Sequence, residues 1–416
     1  MRRSRSTMAT GMKVLAAAAM LAGVGAAAEW PRFRGSEGAG VAEGADPPVK
    51  WTAADYLWKT ALPGRGHSSP VLWGERLFVT SAEGNPPVRH VLCLSVRDGS
   101  VLWSRRYPVT PFHLHGDNSY AAASPAVDGQ RVYVLMAAAD RSPLVALDHD
   151  GREIWTVDAG PYRSQHGPGS SPVVWGELVI VAHEHDEADS FVMAVDRQTG
   201  RLRWKLPRRS MKHSASTPAI YQPADGPAQV VLASRAHGIY GVDAASGKLL
   251  WEVSDLMPQR TVSSPVVAGD LVVATCGEGG VGRAMAVVRP PQRDGQKPEV
   301  VWKTTTDVPY VPTPVGKDGR LYLWRDNGMV LCVEAASGRR IWEGRVNAPF
   351  YGSPVWAAGR LYCISRRGEV FVVSAGDRFE VLAQNDLGEP SFATPAVAGT
   401  RLYLRTVSHV ICVGRR

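Results

Sequence analysis

Residues 171–204 read SPVVWGELVIVAHEHDEADSFVMAVDRQTGRLRW, and this stretch contains one complete copy of the unit that decides the fold. A Ser-Pro pair opens it. A short apolar run, a Gly turn and two more apolar runs follow, and a fourth run ends on Trp204. Runs this short, rich in Val, Leu and Ile and separated by Gly or Asp turns, are typical of β-strands. The unit is therefore predicted to be a four-stranded antiparallel meander.

The opening Ser/Thr-Pro pair occurs eight times, at intervals of about 40–55 residues. The pairs are Ser69-Pro70, Ser124-Pro125, Ser171-Pro172, Thr217-Pro218, Ser264-Pro265, Thr313-Pro314, Ser353-Pro354 and Thr394-Pro395. A period of this length indicates one supersecondary unit copied many times, and four-stranded units of this kind form β-propeller blades. We predict an all-β, eight-bladed β-propeller that forms one domain over residues 29–416.

The last unit is short of one strand, and a spare strand lies near the other end of the chain. Fourth runs end on Trp103, Trp155, Trp204, Trp251, Trp302 and Trp342, but the eighth unit stops after three strands. The segment YLWKTAL around Trp58 precedes the first unit and belongs to none. Because an open ring would leave two unpaired sheet edges, we predict that this N-terminal strand completes the last blade.

Residues 1–28 are predicted to be a secretory signal peptide. Four basic residues precede the apolar run Val14–Leu21, and Ala26-Ala27-Ala28 forms a small-residue cleavage site. No cysteine lies nearby for a lipid anchor, so we expect a periplasmic or secreted protein without a stable membrane anchor. Removing four basic residues lowers the formal net charge from +8 to +4, which gives no support for a nucleic-acid partner.

The chain has five cysteines, and their spacing suggests no disulfide framework. Cys93, Cys332 and Cys412 occupy the same place in the third run of their units, where other units have Ala146, Ala194 or Gly241. This place demands a small side chain. We therefore predict buried, unpaired thiols, because free Cys behaves as a small apolar residue.

The repeat resembles a known family, the pyrroloquinoline-quinone-type (PQQ-like) eight-bladed propellers. The family hallmark, Val-x-Ala-Val-Asp-x-x-Thr-Gly-x-x-x-Trp, is similar to residues 192–204, and shorter versions recur at 240–251 and 332–342. The segments Trp30–Gly35 and His115–Ala121 look like those of exported, uncharacterised bacterial members. The resemblance covers about residues 30–414.

The resemblance implies two different functions. Quinoprotein dehydrogenases of this fold use a vicinal Cys-Cys disulfide over the quinone, a Ca²⁺ ion and a catalytic Asp, but no two cysteines are adjacent here. The other branch consists of cofactor-free scaffolds similar to the propeller of the outer-membrane β-barrel assembly machine (BamB). We expect a non-enzymatic binding or scaffold protein, a monomer without a cofactor. The alternative is a PQQ-dependent oxidoreductase that uses PQQ with Ca²⁺.

The face that binds a ligand is predicted from the histidines. Loops that enter first strands and loops between second and third strands open on one face of a propeller, and ten of the eleven histidines fall there. Arginines join them, which suits an anionic small molecule, a glycan or an acidic protein partner, bound more tightly below about pH 6.5 as imidazole gains charge. The candidate ligand-binding residues are Arg235, His237, Arg325, Asp326, Arg366, Arg405, His67 and His115.

Two His-x-His pairs are weaker candidates for a metal site. His113 and His115 share a loop with Asp117, and His183 and His185 share a loop with Asp186. Imidazole and carboxylate groups could hold Zn²⁺ or another divalent ion, although a solvated loop explains the same pattern. No catalytic triad, phosphate loop or dinucleotide fingerprint is visible, so no catalytic residue is predicted.

Overall fold

The computed structural model describes residues 29–186, 189–209, 211–279, 281–293 and 295–415. It is an eight-bladed β-propeller, as predicted, and each blade is an antiparallel sheet of four consecutive strands or their equivalent. The predicted signal peptide lies outside the described residues. Among the described residues, no helix is long and apolar enough to cross a membrane.

Thirty-three strands and one short 3₁₀ helix make up the described fold. Before the first blade come β1 (Val41–Ala42), the 3₁₀ helix (Ala53–Asp55) and β2 (Tyr56–Ala61). Blade 1 contains β3 (Val71–Trp73), β4 (Arg76–Glu83), β5 (Val88–Ser95) and β6 (Val101–Pro108). Blade 2 contains β7 (Ala126–Val127), β8 (Arg131–Leu135), β9 (Pro143–Asp148) and β10 (Glu153–Asp158). Blade 3 contains β11 (Val173–Trp175), β12 (Leu178–His183), β13 (Phe191–Asp196) and β14 (Leu202–Pro207). Blade 4 contains β15 (Ala219–Tyr221), β16 (Gln229–Ser234), β17 (Gly238–Asp243) and β18 (Leu249–Val253).

The second half of the ring repeats this plan. Blade 5 contains β19 (Val266–Ala268), β20 (Leu271–Glu278), β21 (Val281–Arg289) and β22 (Glu299–Thr304). Blade 6 contains β23 (Val315–Lys317), β24 (Arg320–Trp324), β25 (Met329–Glu334) and β26 (Arg340–Arg345). Blade 7 contains β27 (Val355–Ala357), β28 (Arg360–Ile364), β29 (Glu369–Ser374) and β30 (Val381–Asp386). Blade 8 contains β31 (Ala396–Ala398), β32 (Arg401–Arg405) and β33 (His409–Gly414), with β2 as its fourth strand.

The Ser/Thr residues of the repeated motif form a closed ring of hydrogen bonds around the axis. The hydroxyl oxygen of each one accepts the main-chain N–H of the motif residue one blade earlier, at 2.8–3.1 Å. The bond from the N–H of Thr394 to Ser69 Oγ, 3.0 Å, closes the circle. We call these eight side chains the hydroxyl ring. The ring explains why every blade begins with Ser or Thr, because each must supply an acceptor to its neighbour.

Fourth-strand Trp residues join six of the blades to the next blade at the outside. In blade 3, Trp204 Nε1 donates to the carbonyl oxygen of Ala244 in blade 4, at 3.1 Å. Trp58, Trp103, Trp155, Trp302 and Trp342 make equivalent bonds. The small third-strand residue lies directly across from the Trp: Ala194 pairs with Trp204, and a Cβ on Gly241 would lie 2.2 Å from Trp251 Nε1. The small-residue prediction is thereby confirmed, and all five cysteines are buried and free.

The N-terminal strand closes the ring as predicted. Strand β2 pairs antiparallel with β33, with Trp58 opposite Cys412 and Ala61 opposite His409. Residues Trp30, Trp51, Trp58 and Leu62 of this region are all buried. The closure therefore satisfies the last sheet edge and adds a large apolar area to the core.

A second N-terminal element was not foreseen from the sequence. Residues 30–40, which we call the N-terminal plug, cross the channel inside the ring of first strands. Trp30 exchanges two main-chain hydrogen bonds with Leu72 of blade 1, and the N–H of Trp356 in blade 7 donates to Gly40. Strand β1 then runs parallel to β27. The plug therefore links the first strands of blades 1 and 7, which blade 8 separates, and Pro31 also accepts the N–H of Val127 in blade 2.

Arg34 fastens the plug. Its guanidinium donates to the carbonyl oxygens of Thr313 (3.2 Å), Pro314 (2.6 Å) and Pro354 (3.1 Å), and within the plug to those of Gly38 and Ala39. The side chain is 1% exposed. Burial lowers the pKa of Arg34 to about 9. All five N–H donors of this guanidinium thus bind main-chain oxygens, which is what its planar fork allows.

Candidate functional site

The channel forms a cavity of about 420 Å³ that opens on the predicted binding face. All eight residues of the hydroxyl ring line it, and Phe33 of the plug closes it from below. The loops that enter first strands form its walls, because first strands are the innermost strands of the ring. The cavity is therefore a blind pocket and not a pore, with a size typical of small-molecule sites.

Three histidines form a stacked column in one wall of the cavity. The rings of His115 and His166 lie 5.2 Å apart at 17°, and those of His166 and His213 lie 5.3 Å apart at 25°. Asn118 Nδ2 donates to the carbonyl oxygen of His166 at 2.7 Å and ties the two loops together. Next to this column, His67 of blade 1 stacks on Phe392 of blade 8 with ring centroids 4.4 Å apart. Four histidines from four blades thus face one space.

The carboxylates of the cavity wall are already paired with cations. Asp117 forms an ion pair with Arg366, and Tyr351 donates its hydroxyl to the other oxygen of Asp117 at 3.1 Å. Glu278 forms ion pairs with both Arg260 and Lys212. The guanidinium of Arg260 also contacts the ring of His166. One positive charge therefore remains in excess at the wall formed by blade 5.

Burial and neighbouring arginines change how two of these histidines titrate. Burial, with Arg405 and Arg65 nearby, lowers the pKa of His67 to about 3. Burial, with Arg260 nearby, lowers the pKa of His166 to about 4. The expectation that imidazole gains charge near pH 6.5 is therefore wrong for His67 and His166, which meet a ligand as neutral rings above pH 5.

The predicted ligand-binding residues separate into two groups. His67 and His115 line the cavity, and Arg366 reaches its wall through Asp117. Arg405 is fully buried and donates to the carbonyl oxygens of Thr80 and Thr406. Because its guanidinium holds main-chain groups, Arg405 stands behind the wall and does not face the cavity.

The other four predicted residues lie away from the cavity. His237 is buried, and its Nδ1 lies 3.1 Å from Oε1 of the half-buried Glu252 in the outer strand of blade 4. Arg325 binds Asp307 at 2.8 Å. Asp326 accepts the N–H groups of Tyr310 and Val311, so it positions a loop of the cavity without lining it. Arg235 is partly exposed in the turn between β16 and β17, outside the cavity lining.

The two His-x-His pairs do not form metal sites in the described part of the chain, where no three His, Cys, Asp or Glu side chains are grouped as ligands. His113 is exposed, whereas His115 stacks on His166. His183 is buried with Nε2 2.9 Å from the carbonyl oxygen of Pro161, and its ring meets that of His185 edge-on. In the first pair only His115 stacks on another ring. In the second pair both imidazoles are buried and pack against each other.

Several cavity residues were missed at the sequence level. They are Phe33, Asn118, Arg260, Glu278, Tyr310, Tyr351 and Phe392. A signal exists for most of them: Arg260, Tyr310, Tyr351 and Phe392 lie two to four positions before the Ser or Thr of the next motif, as His67 and His213 do. The residue two positions before the Ser or Thr lines the cavity in all eight blades, whatever its type.

A carboxyl group with a raised pKa lies behind the histidine wall. Glu184 is 3% exposed; Tyr240 donates to its Oε1 at 2.7 Å, and its Oε2 has no hydrogen-bond partner among the described residues. Burial raises the pKa of Glu184 to about 7. Its main-chain oxygen accepts the N–H of Ser214, next to His213.

We expect Glu184→Gln to stabilise the protein at pH 8 but not at pH 4. As the pH rises from about 4.5 to 7, the carboxyl group of Glu184 ionises in the unfolded chain but keeps its proton in the folded one. The free energy of unfolding of the wild type therefore falls by about 3 kcal/mol, whereas that of the variant does not. Urea unfolding at several pH values measures this difference. Glu75→Gln, at a side chain that is 83% exposed, is the control, and parallel pH profiles for Glu184→Gln and the wild type would contradict the expectation.

Comparison with protein families identifies the repeat. The model of a family described as outer membrane protein assembly factor BamB matches residues 41–122, 88–223, 117–302 and 291–408. These overlapping matches span nearly all of the described ring. The chain belongs to this BamB family. No curated protein matches the chain.

Solved structures share the fold at low sequence identity. BamB from Moraxella catarrhalis is 14% identical, with a TM-score of 0.60 over 86% of this chain and 98% of that one. A quinohemoprotein alcohol dehydrogenase from Comamonas testosteroni is 13% identical, with a TM-score of 0.58 over 93% and 81%. A europium-containing methanol dehydrogenase is 14% identical, with a TM-score of 0.54 over 92% and 90%. The family fold is therefore shared by assembly factors and by dehydrogenases.

The cavity does not fit the quinone cofactor of the dehydrogenase branch. The sequence resemblance implies a vicinal disulfide above the quinone and oxygen ligands for Ca²⁺, but all five cysteines are buried elsewhere and separate. Asp117 and Glu278, the carboxylates of the described cavity lining, are held by cations. Within the described lining, neither carboxylate is therefore free to bind a divalent cation.

Proposed function

We propose that this BamB-family protein is an exported, non-enzymatic binding propeller that engages a protein partner or an anionic ligand at the mouth of the channel cavity. The observation that carries the proposal is the blind cavity itself, lined by four histidines, Arg260 and the hydroxyl ring. It works as a monomer, since one chain closes the ring, in the periplasm or outside the cell. No residue is assigned a catalytic role.

The family fits a scaffold role, and the rim of the cavity supports it. Met211 and Val281 are the most exposed large apolar side chains of the described chain, at 60% and 65%. Met211 is adjacent to Lys212 in the loop that precedes β15, and Val281 lies close to Glu278 at the end of β20. The ion pair between Lys212 and Glu278 joins these two segments. Exposed apolar groups around a polar pocket are typical of surfaces that bind a partner.

The alternative function is a PQQ-dependent quinoprotein oxidoreductase. Structural similarity to alcohol and methanol dehydrogenases favours it. The donor set of the cavity opposes it, because a cationic metal would meet Arg260 and the paired carboxylates. Purified protein supplied with PQQ and Ca²⁺ is therefore expected to show no quinone absorption and background rates in dye-linked alcohol and sugar oxidation. Turnover that disappears when Ca²⁺ is chelated would establish the oxidoreductase instead.

Binding at the channel mouth is tested without assuming a ligand class. A thermal-shift screen of cationic, neutral and anionic small molecules should yield a stabiliser, because a compound that binds only the folded state raises the melting temperature. The shift should disappear in Arg260→Ala and persist in Arg378→Ala, whose side chain is 86% exposed. For a protein partner, a photo-cross-linker at Met211 should react whereas one at Leu202, 57% exposed on an outer strand, should not. A screen without stabilisers together with equal cross-linking at both positions would contradict the proposal.

A further inference from the structure

A loop crosses the mouth of the channel cavity. It connects β6 to β7 over residues 109–125 and is the longest of the eight connections that enter first strands. We call its central part, residues 112–120, the strap. We propose that the strap is a lid that hinges at blade 1, covers the channel mouth and is held closed on blade 7 by Asp117. Such a lid controls access to the cavity whatever binds there, so it goes beyond the proposed function.

The strap closes on itself, and the chain is anchored on both sides of it. Tyr120 donates its hydroxyl to the carbonyl oxygen of Phe112 at 2.9 Å, and the two rings meet edge-on with centroids 4.9 Å apart. Before the strap, the N–H of Val109 donates to the carbonyl oxygen of Pro87 in blade 1. After it, the carbonyl oxygen of Ala121 accepts two N–H groups of the loop that enters blade 1. A compact loop with fixed ends can move as one unit about those ends.

On one side of the mouth the strap contacts blade 3. The ring of His115 stacks on that of His166. Asn118 Nδ2 donates to the carbonyl oxygens of His166 and Pro168, at 2.7 and 3.2 Å. His115 and Asn118 also line the cavity, so this part of the strap lies directly over the space that it covers.

On the other side the strap reaches blade 7, which lies opposite blade 3 in a ring of eight. Asp117 forms an ion pair with Arg366, and its second carboxylate oxygen accepts the Tyr351 hydroxyl at 3.1 Å. The guanidinium of Arg366 lies over the Tyr351 ring, 4.3 Å from its centroid. We call the contact of Asp117 with Arg366 and Tyr351 the latch. Because residues 115–118 contact both blades, the strap spans the channel mouth.

The latch is weak enough to open. The side chains of Asp117 and Arg366 are 30% and 31% exposed, and water and salt weaken an ion pair at such a site. At the tip of the strap, a Cβ on Gly116 would meet no atom within 4 Å, so this residue is not packed against the wall. Residues 109–125 contain no strand. Long irregular loops with few packed groups open at a low free-energy cost and frequently serve as lids.

The lid is tested by labelling a thiol inside the cavity. All five native cysteines are buried, so N-ethylmaleimide should react only with the thiol introduced by Ala215→Cys, at a position that lines the cavity. The matched control is Ala245→Cys, at an exposed turn of the same blade. We expect the thiol in the cavity to react at least about tenfold more slowly than the control thiol, because it reacts only while the strap is open. Equal rates at the two positions would mean that the mouth is uncovered and would overturn the proposal.

Breaking the latch should speed the labelling of the cavity thiol. Asp117→Asn removes the ion pair with Arg366, and we expect the thiol of Ala215→Cys to react about five- to tenfold faster in this background. The matched control is Asp270→Asn on the opposite face, which takes a carboxylate from Arg289, a side chain that is also 31% exposed. It should leave the labelling rate unchanged.

Salt provides a second measurement that leaves the latch residues intact. About 0.5 M NaCl weakens a partly exposed ion pair, so it should speed labelling of Ala215→Cys relative to Ala245→Cys. This comparison decides if Asp117→Asn does not fold. A labelling rate at Ala215→Cys that neither the loss of Asp117 nor salt increases would show that the strap does not control access to the cavity.

Discussion

Deleting residues 29–62 should leave no folded monomer. The deletion removes β2, whose loss uncovers the hydrogen-bonding edge of β33, and it removes the N-terminal plug as well. Trp30, Trp51, Trp58 and Leu62 are 2–7% exposed, and burying each contributes about 2–3 kcal/mol. Their sum approaches the whole free energy of unfolding of a typical domain, about 5–15 kcal/mol. Size-exclusion chromatography with light scattering, together with thermal unfolding, measures the outcome.

The control is the chain that begins at Glu29, which keeps both N-terminal elements and should remain monomeric. An exposed, unpaired strand invites pairing with another copy, so the shortened protein is expected to aggregate. Adding a peptide of residues 29–62 should restore the monomer if edge closure is the cause. A shortened protein that stays monomeric and melts at the same temperature as the control would show that the ring does not depend on this closure.

The architecture could be predicted because it is encoded locally and repeated. Each Ser/Thr-Pro pair, each turn and each Trp carries the same structural role in successive units, so a weak signal in one blade is confirmed by the others. Even the closing strand was recognisable, because Trp58 has the sequence context of a fourth-strand Trp without a unit of its own. The small residue opposite most of these Trp residues likewise follows from a repeated contact, as in the pair Ala194 and Trp204.

The site was only half predictable, because its residues converge from different blades and share no motif. Histidine as a residue type was a poor guide: His213 faces the axis, whereas His237 is held by Glu252 of the outer strand of blade 4. The distinction is radial, since loops that enter first strands reach the channel and most turns between second and third strands do not. Arg405 was misassigned for the same reason, because its main-chain partners lie behind the wall.

The plug could not be inferred from the repeat, since it occurs once. The segment Trp30–Gly35 stands out in the sequence only for its resemblance to exported relatives, and nothing in its residues states that Arg34 crosses the channel. Its partners are the main-chain carbonyls of Thr313, Pro314 and Pro354, some 280–320 residues away. Every residue has a main-chain carbonyl group, so the sequence does not show which of them accept a hydrogen bond from Arg34. A contact of this kind can be identified only from the folded structure.

Replacing Arg34 with Ala should destabilise the protein by about 3–5 kcal/mol. The change leaves three carbonyl groups of blades 6 and 7 without donors, and each buried group left unsatisfied costs about 1–3 kcal/mol. It also detaches the plug from the far side of the channel. Urea unfolding at constant pH measures the loss, and Arg378→Ala, at an exposed side chain, should show none.

Arg34→Lys separates charge from geometry. Lysine keeps the positive charge beneath the hydroxyl ring but carries a compact ammonium group in place of the planar fork with five donors. We expect it to recover only part of the stability that Arg34→Ala loses, because an ammonium group cannot bind all five main-chain oxygens at once. If Arg34→Ala unfolds at the same urea concentration as the wild type, the plug is held by Trp30 and β1 instead.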